Sequence, residues 1–341
     1  ALPPNTAATK ELRTQTPRLF APLLQAIVAP IHYVQPFEPH VLMDFGNRIL
    51  EDRAHLDALS LHAVHNTQTV KSNGPVAAFT IPTGLDNTMP LEIVTIPCLT
   101  DNYAFLLHNT LTKETLLVDA PESMPIQREL DVRGWTLTDI LLTHHHGDHV
   151  DGLDALRGSA RVIGAAADAH RLPQLDLAIN EGDTVTICNE TASVLDVSGH
   201  TIGHIALHFA ISGVLFTADS LMALGCGRLF EGTAAQMWQS MLKLRTLPDE
   251  TRVYSGHEYT QTNAHFALTI EPDNSDLISR AELIKKTRAA NQSTVPSNLG
   301  VEKRTNPFLR ADVSALQNAF GMTNSDPIEV FTQIRKKRDN F

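Results

Sequence analysis

Cysteine is scarce: the 341 residues hold only Cys98, Cys188 and Cys226, far apart and without a CxxC pair. An odd number of dispersed thiols excludes a disulfide framework and suits a reducing compartment, so buried free thiols in a cytoplasmic protein are expected. Positive charge is also in deficit. Lys and Arg number 27 against 38 Asp and Glu, a net charge of -11, which argues against broad affinity for nucleic acid or an anionic membrane. Long apolar runs are missing as well. None approaches the roughly 20 residues that span a bilayer. An anionic ligand must therefore be met locally, and 43% hydrophobic residues over this length leave material for a sizeable core and two domains.

What is present in excess is histidine, concentrated in the stretch Leu142-Thr143-His144-His145-His146-Gly147-Asp148-His149-Val150-Asp151-Gly152. The preceding Leu137-Thr138-Asp139-Ile140-Leu141-Leu142 reads as a buried strand, so the histidines begin where a strand ends. His144, His146, Asp148 and His149 place imidazole and carboxylate donors side by side. Burying them together is costly unless a cation binds, and nitrogen and oxygen donors without cysteine suit Zn(II), Fe(II) or Mn(II).

Further donors follow further strands. Residues 192–197 run into Ser198-Gly199-His200, residues 213–218 into Asp219, and residues 252–256 into His257. If these strands lie side by side, His200, Asp219 and His257 share a rim with the first cluster. Two divalent metals bridged by one carboxylate and one hydroxide would use all the donors: His144, His146 and His200 on one, Asp148, His149 and His257 on the other, Asp219 on both. The catalytic group is then a metal-bound hydroxide held by Asp148 and Asp219. His145 is expected to point to the other side of the backbone, and His204 and His208 to be packed or hydrogen-bonded. Asp119 fits either a carboxylate behind the ligands or a turn residue.

The chain divides by rhythm. Residues 1–88 read as an N-terminal extension of unknown role, with helical apolar spacing over 18–29 and 41–64 broken by prolines, and a Gly/Pro-rich linker over 72–88. Lys10, Arg13 and Arg18 ahead of an apolar stretch suggest a presequence, which the acidic residues that follow oppose. Strands then begin at Met89. Residues 91–96, 104–108 and 115–119 read as consecutive antiparallel strands, 124–133 as a helix, a further helix begins around 151–156, and 160–163 starts another strand. From about 275 the chain reads as helical, with residues 277–290 and 327–338 carrying helical periodicity.

The histidine motif, with the later His200, Asp219 and His257, resembles the metallo-β-lactamase superfamily, which implies an α+β fold: an αββα sandwich with the metals at one edge. Residues 95–103, 225–233, 254–260 and 306–310 (Asn306-Pro307-Phe308-Leu309-Arg310) resemble hydroxyacylglutathione hydrolases, also called glyoxalase II, and the likeness runs from about Met89 to Phe341. It implies a metal-binding domain over 89–260, a helical substrate-binding domain over 261–341, and the same division of the metal ligands. It also implies glutathione contacts from Arg228, Phe230, Tyr259, Arg335 and Arg338. Phe230 stands where some members carry Tyr, which leaves it packing alone. Arginine forks suit the two carboxylates of glutathione on an otherwise acidic protein. The expected reaction is hydrolysis of S-(2-hydroxyacyl)glutathione, S-D-lactoylglutathione giving glutathione and D-lactate, by a monomer with no nucleic-acid or membrane partner. The competing expectations are a persulfide dioxygenase with one iron, a β-lactamase or lactonase, and a non-enzymatic binding module, the last of which would have lost ligands.

Overall fold

The computed structural model describes residues 91–341, which fall within one compact unit. The expected N-terminal helices, presequence and linker lie outside the described residues.

Three antiparallel strands open the fold, β1 (Leu91–Cys98), β2 (Asn102–Asn109) and β3 (Thr115–Val118). Helix α1 (Ser123–Arg133) then crosses to β4 (Asp139–Leu142), which pairs parallel with β3 and is continued in parallel by β5 (Arg161–Ala165) and β6 (Leu177–Ile179). The second sheet contains β7 (Thr184–Ile187), β8 (Glu190–Asp196), β9 (Ile205–Phe209), β10 (Val214–Ala218), β13 (Arg252–Ser255) and β14 (Ser297–Asn298), in the order β14-β13-β10-β9-β8-β7. Between β10 and β13 lie a small hairpin, β11 (Leu221–Met222) with β12 (Gly225–Cys226), and helix α4 (Ala234–Arg245). Helices α2 and α3 are single turns, Gly147–Val150 and Leu153–Leu156.

Alternation along the strands builds four layers. On β2, Tyr103, Phe105 and Leu107 enter the core that also holds Val194, Leu207 and Phe216 of the second sheet. Ala104 and Leu106 face the opposite way, against Ile126 and Leu130 of α1. A strand covered on both faces must be apolar at every position, which is why Leu116, Leu117 and Val118 of β3 are all buried. The outer face of the second sheet packs Leu215 and Val253 on Met237 and Met241 of α4 and on Phe308, Phe331 and Ile334. This is the αββα arrangement. The remaining helices are α5 (Thr260–Leu268), α6 (Ser275–Ala289), α7 (Leu299–Thr305), α8 (Ser314–Ala319) and α9 (Pro327–Asp339). Those beyond residue 300 share the α4 core. No helix among the described residues is long and apolar enough to cross a membrane.

The expected strands and the long helices at 124–133, 277–290 and 327–338 are present. The helix expected around 151–156 begins instead at Gly147 and breaks after Val150. Asp148 and His149 therefore leave from a helical turn, about 100° apart around its axis, where consecutive residues of a strand would point to opposite faces.

Candidate active site

Strands β4, β8, β10 and β13 end on the same rim, and each hands over to a donor. Backbone hydrogen bonds close the rim between the two sheets: Ile205 N–H donates to the Thr143 carbonyl (3.1 Å), Tyr103 N–H to that of Gly256 (2.8 Å) and Glu258 N–H to that of Asp101 (2.8 Å). His144, His146, Asp148, His149, His200, Asp219 and His257 converge there. His146 Nδ1 lies 3.2 Å from His144 Nε2 and 3.0 Å from His200 Nε2. His149 Nε2 and His257 Nε2 lie 3.7 and 3.5 Å from Asp148 Oδ2. Asp219 stands between the two sets, with Oδ1 3.6 Å from His149 Nε2 and Oδ2 3.2 Å from His257 Nε2 and 3.5 Å from His200 Nε2. The close approach needs Gly256, where a Cβ would come within 2.5 Å of Asp219 Oδ1 and 2.9 Å of His149 Cε1.

The donor set fits bound cations. His149 Nε2 and Asp219 Oδ1 are buried and have no hydrogen-bond partner, a loss of about 1–3 kcal/mol each unless another partner takes them. The triads His144, His146, His200 and Asp148, His149, His257 each bring three donor atoms within 4.8 Å of one another. All are imidazole or carboxylate, which suits divalent metals.

Electrostatics follow from burial and the facing charges. Burial alone would depress His149, but Asp219, Asp119 and Asp148 outweigh it and lift the imidazole to about 9. His257 is raised in the same way, against its burial, by Asp219 and Asp101. Asp219 is held well below the usual carboxylate range because His149, His257 and His200 overcome its burial. His144 is driven down by burial and then by the neighbouring histidines, so it stays neutral.

The groups behind these donors were only partly readable from sequence. Asp119 supports rather than merely turns the chain: Oδ2 lies 2.8 Å from His149 Nδ1, and the carboxylate accepts the Thr143 N–H and hydroxyl, both at 2.9 Å. Asp101 was missed, and it sits 2.9 Å from His257 Nδ1. Asn102 was also missed; its Nδ2 donates to Asp148 Oδ2 at 3.0 Å. The available signal was their place at the turn into β2, on the same rim. His145 turns away from the donors to Asp168, 2.9 Å from Nδ1. His204 stacks on His144 with 4.5 Å between ring centroids, and its Nε2 accepts the Asp219 N–H at 3.3 Å. Burial pushes His204 down to about 3, so it remains the neutral acceptor that this contact requires.

Beside the rim a cavity of about 510 Å³ is lined by His200, Asp219, Arg228, Phe230, Tyr259, Arg335 and Arg338, among others. Tyr259 stacks on His257 at 4.7 Å. Phe230, 60% exposed, sets its ring edge-on to His146 and His200. Arg228 is largely exposed, and Arg338 Nη2 donates to Asn263 Oδ1 at 3.1 Å. Arg335 differs from a free clamp. It is buried, with Nη1 donating to the Cys226 carbonyl (2.8 Å) and Nη2 to Asp339 Oδ1 (2.8 Å). Each terminal nitrogen is bonded within the protein, and Nε is buried without a hydrogen-bond partner. Arg335→Ala is accordingly expected to lower stability by about 2–4 kcal/mol, whereas Arg338→Ala is expected to change the melting temperature little and, if Arg338 meets a carboxylate of the ligand, to raise KM about tenfold. Thermal unfolding and steady-state kinetics on the two variants separate these effects.

A sandwich of two mixed sheets between helices, with a histidine and aspartate cluster on one edge, defines the metallo-β-lactamase class of fold. The family model described as "Metallo-beta-lactamase superfamily" matches residues 101–257, and "Hydroxyacylglutathione hydrolase C-terminus" matches residues 258–341. A solved structure, the BLEG-1 B3 metallo-beta-lactamase, shares the fold with a TM-score of 0.50 and 23% identity, covering 64% of this chain and 99% of that one. Hydroxyacylglutathione hydrolases of Ruegeria pomeroyi and Cereibacter sphaeroides are each 60% identical over 255 residues, 74% of this chain and 100% of theirs. The chain belongs to the hydroxyacylglutathione hydrolase family and is a thioester hydrolase.

Proposed function

We propose that this chain hydrolyses S-(2-hydroxyacyl)glutathione thioesters, with S-D-lactoylglutathione giving glutathione and D-lactate. The observation that carries the reading is the cavity in which Arg228, Arg335 and Arg338 gather beside the metal-binding rim of an acidic protein. A tripeptide with two carboxylates is the ligand such a cluster would select.

In this reading His144, His146 and His200 hold one divalent cation, Asp148, His149 and His257 the other, and Asp219 both, with Zn(II) the expected metal and Fe or Mn the substitutes. Two such cations would supply a water activated to hydroxide near neutral pH and a Lewis acid for the carbonyl. The protein's own residues do the rest. Asp101 and Asp119 hold the His257 and His149 rings with Nε2 toward the rim. Arg228 and Arg338 bind the glutathione carboxylates, Tyr259 adds a hydroxyl, and Phe230 packs on the substrate. A carbon–oxygen bond forms at the thioester carbonyl and the carbon–sulfur bond breaks. Sulfur leaves as thiolate, so no side chain has to donate a proton to it. The helices from 261 onward add Arg338 to a substrate pocket whose other contacts, Arg228, Phe230 and Tyr259, come from the metal-binding part, residues 89–260. The net charge of -11 and three free thiols fit a cytoplasmic monomer.

The test uses the purified full chain. Two equivalents of divalent metal and thiol release from S-D-lactoylglutathione without oxygen uptake are expected. One iron per chain with oxygen consumed on glutathione persulfide would replace this reading with the dioxygenase.

A further inference from the structure

Next to the rim lies a set of charges that hydrolysis itself does not use. Asp168 is 0% exposed at the end of the short turn Ala166–Asp168, and a carboxylate buried so completely needs partners. Oδ1 accepts from Arg171 Nε at 2.6 Å, and Oδ2 meets His145 Nδ1. Gly203 lets it sit there, since a Cβ at that position would come within 2.4 Å of the Asp168 Cβ. Arg171 then reaches Glu231 with both terminal nitrogens, Nη2 at 3.2 Å from Oε2. Glu231 Oε2 also accepts the Ile202 N–H at 2.9 Å. The charges thus tie together residues 168–171, the loop that carries His200, and segment 228–232.

Segment 228–232 lies along the His200 loop. Phe230 N–H donates to the His200 carbonyl (3.2 Å), Gly232 N–H to that of Gly199 (3.1 Å), and the Arg228 carbonyl pairs with His200 Nδ1 (2.8 Å). Adjacent residues in it have divided tasks. Glu231 turns into the charge cluster, while Phe230, whose ring meets only the edges of His146 and His200, and Arg228, which faces Asp339 at 3.5 Å, stand exposed in the cavity. Whatever holds Glu231 therefore sets where the Phe230 ring and the Arg228 guanidinium meet a ligand.

We propose that Asp168, Arg171 and Glu231 form a clamp that positions segment 228–232, making them positioning residues that govern substrate binding without touching the reacting atoms. The proposal rests on the functional reading above for its substrate, not for the clamp itself.

Glu231→Gln, Arg171→Ala and the double variant are made in the metal-loaded full chain. Each single variant should lower kcat/KM on S-D-lactoylglutathione by about tenfold to a hundredfold, the scale of losing a charge-assisted contact to the bound substrate. The loss should lie in KM, with kcat and metal content close to wild type. The double variant should be no worse than the worse single, because the two residues are ends of one link. Arg171→Lys, which keeps charge but not the fork, should restore only part of the loss and serves if a harsher variant does not fold. Independently of any substrate, peptides covering 228–232 should exchange amide hydrogen faster in the variants. An unchanged KM and exchange rate, additive losses, or a fall in metal content with kcat would each overturn the clamp. A wild type inert on the thioester would sink the functional reading instead, leaving hydrogen exchange to judge the clamp.

Discussion

Replacing Asp219 by alanine is expected to abolish thioester hydrolysis and to cost the protein metal at both positions together. The residue is 5% exposed, and its carboxylate faces histidines of both triads, Oδ1 toward His149 and Oδ2 toward His257 and His200. Without it, His149 and His257 lose the charge that most strongly opposes their desolvation. Losing about 4 kcal/mol or more of transition-state charge stabilisation corresponds to about a thousandfold or more in kcat/KM. His146→Ala should be milder in metal content, since His146 belongs to one triad only. Elemental analysis with kinetics on both variants, and circular dichroism to establish folding, checks the assignment. Two equivalents of metal retained in Asp219→Ala would refute it.

A second large effect is expected at Asp119, which touches no donor atom that faces the cation. Its Oδ2 holds His149 Nδ1 at 2.8 Å, and loss of such a partner costs about tenfold to a hundredfold in metal affinity. The pH dependence carries a further signature. In the metal-free protein burial would depress His149, but Asp219 and then Asp119 keep it at about 9, above the ordinary 6.5. A raised imidazole stabilises the metal-free fold fully below pH 6.5, and that contribution is lost as pH rises through about 9. A cation taking Nε2 must displace that proton, so apparent affinity should climb about tenfold or more per pH unit, more steeply where the raised His257 also gives up its proton, until about 9 and then level off. Asp119→Asn should weaken binding and move the break to lower pH. Chelator competition between pH 6 and 10 measures both, and a break that stays in place would show that Asp119 does not support His149.

Most donors could be read from the sequence because they follow an apolar run, and strand ends gather on sheet edges whatever the detailed register; Asp148 and His149 stand one helical turn further on. The groups behind them could not. Asp101 and Asp119 reach His257 and His149 across 156 and 30 residues of sequence, a distance that no local pattern encodes. Helix α4 went unread although Thr233 and Gln236 form a reciprocal cap at its start, a signal of the Ser/Thr-x-x-Glu/Gln kind that spacing does show. Strand β7 likewise alternates exposed and buried residues over Thr184–Ile187, but four residues are too few to stand out. The family likeness pointed to Arg335 as a ligand contact; only packing reveals that its two terminal nitrogens already donate to Cys226 and Asp339.

The rim is a seam. His144, His146, Asp148 and His149 come from the sheet that ends with β6, and His200, Asp219 and His257 from the sheet that begins with β7. Each donor triad draws on both halves, so an ion seated there would work as a rivet, and tight loading would have to wait until the two halves have docked. Severing the connection between β6 and β7 would turn a one-body equilibrium into a two-body one, with the dissolved metal acting as the matchmaker between fragments.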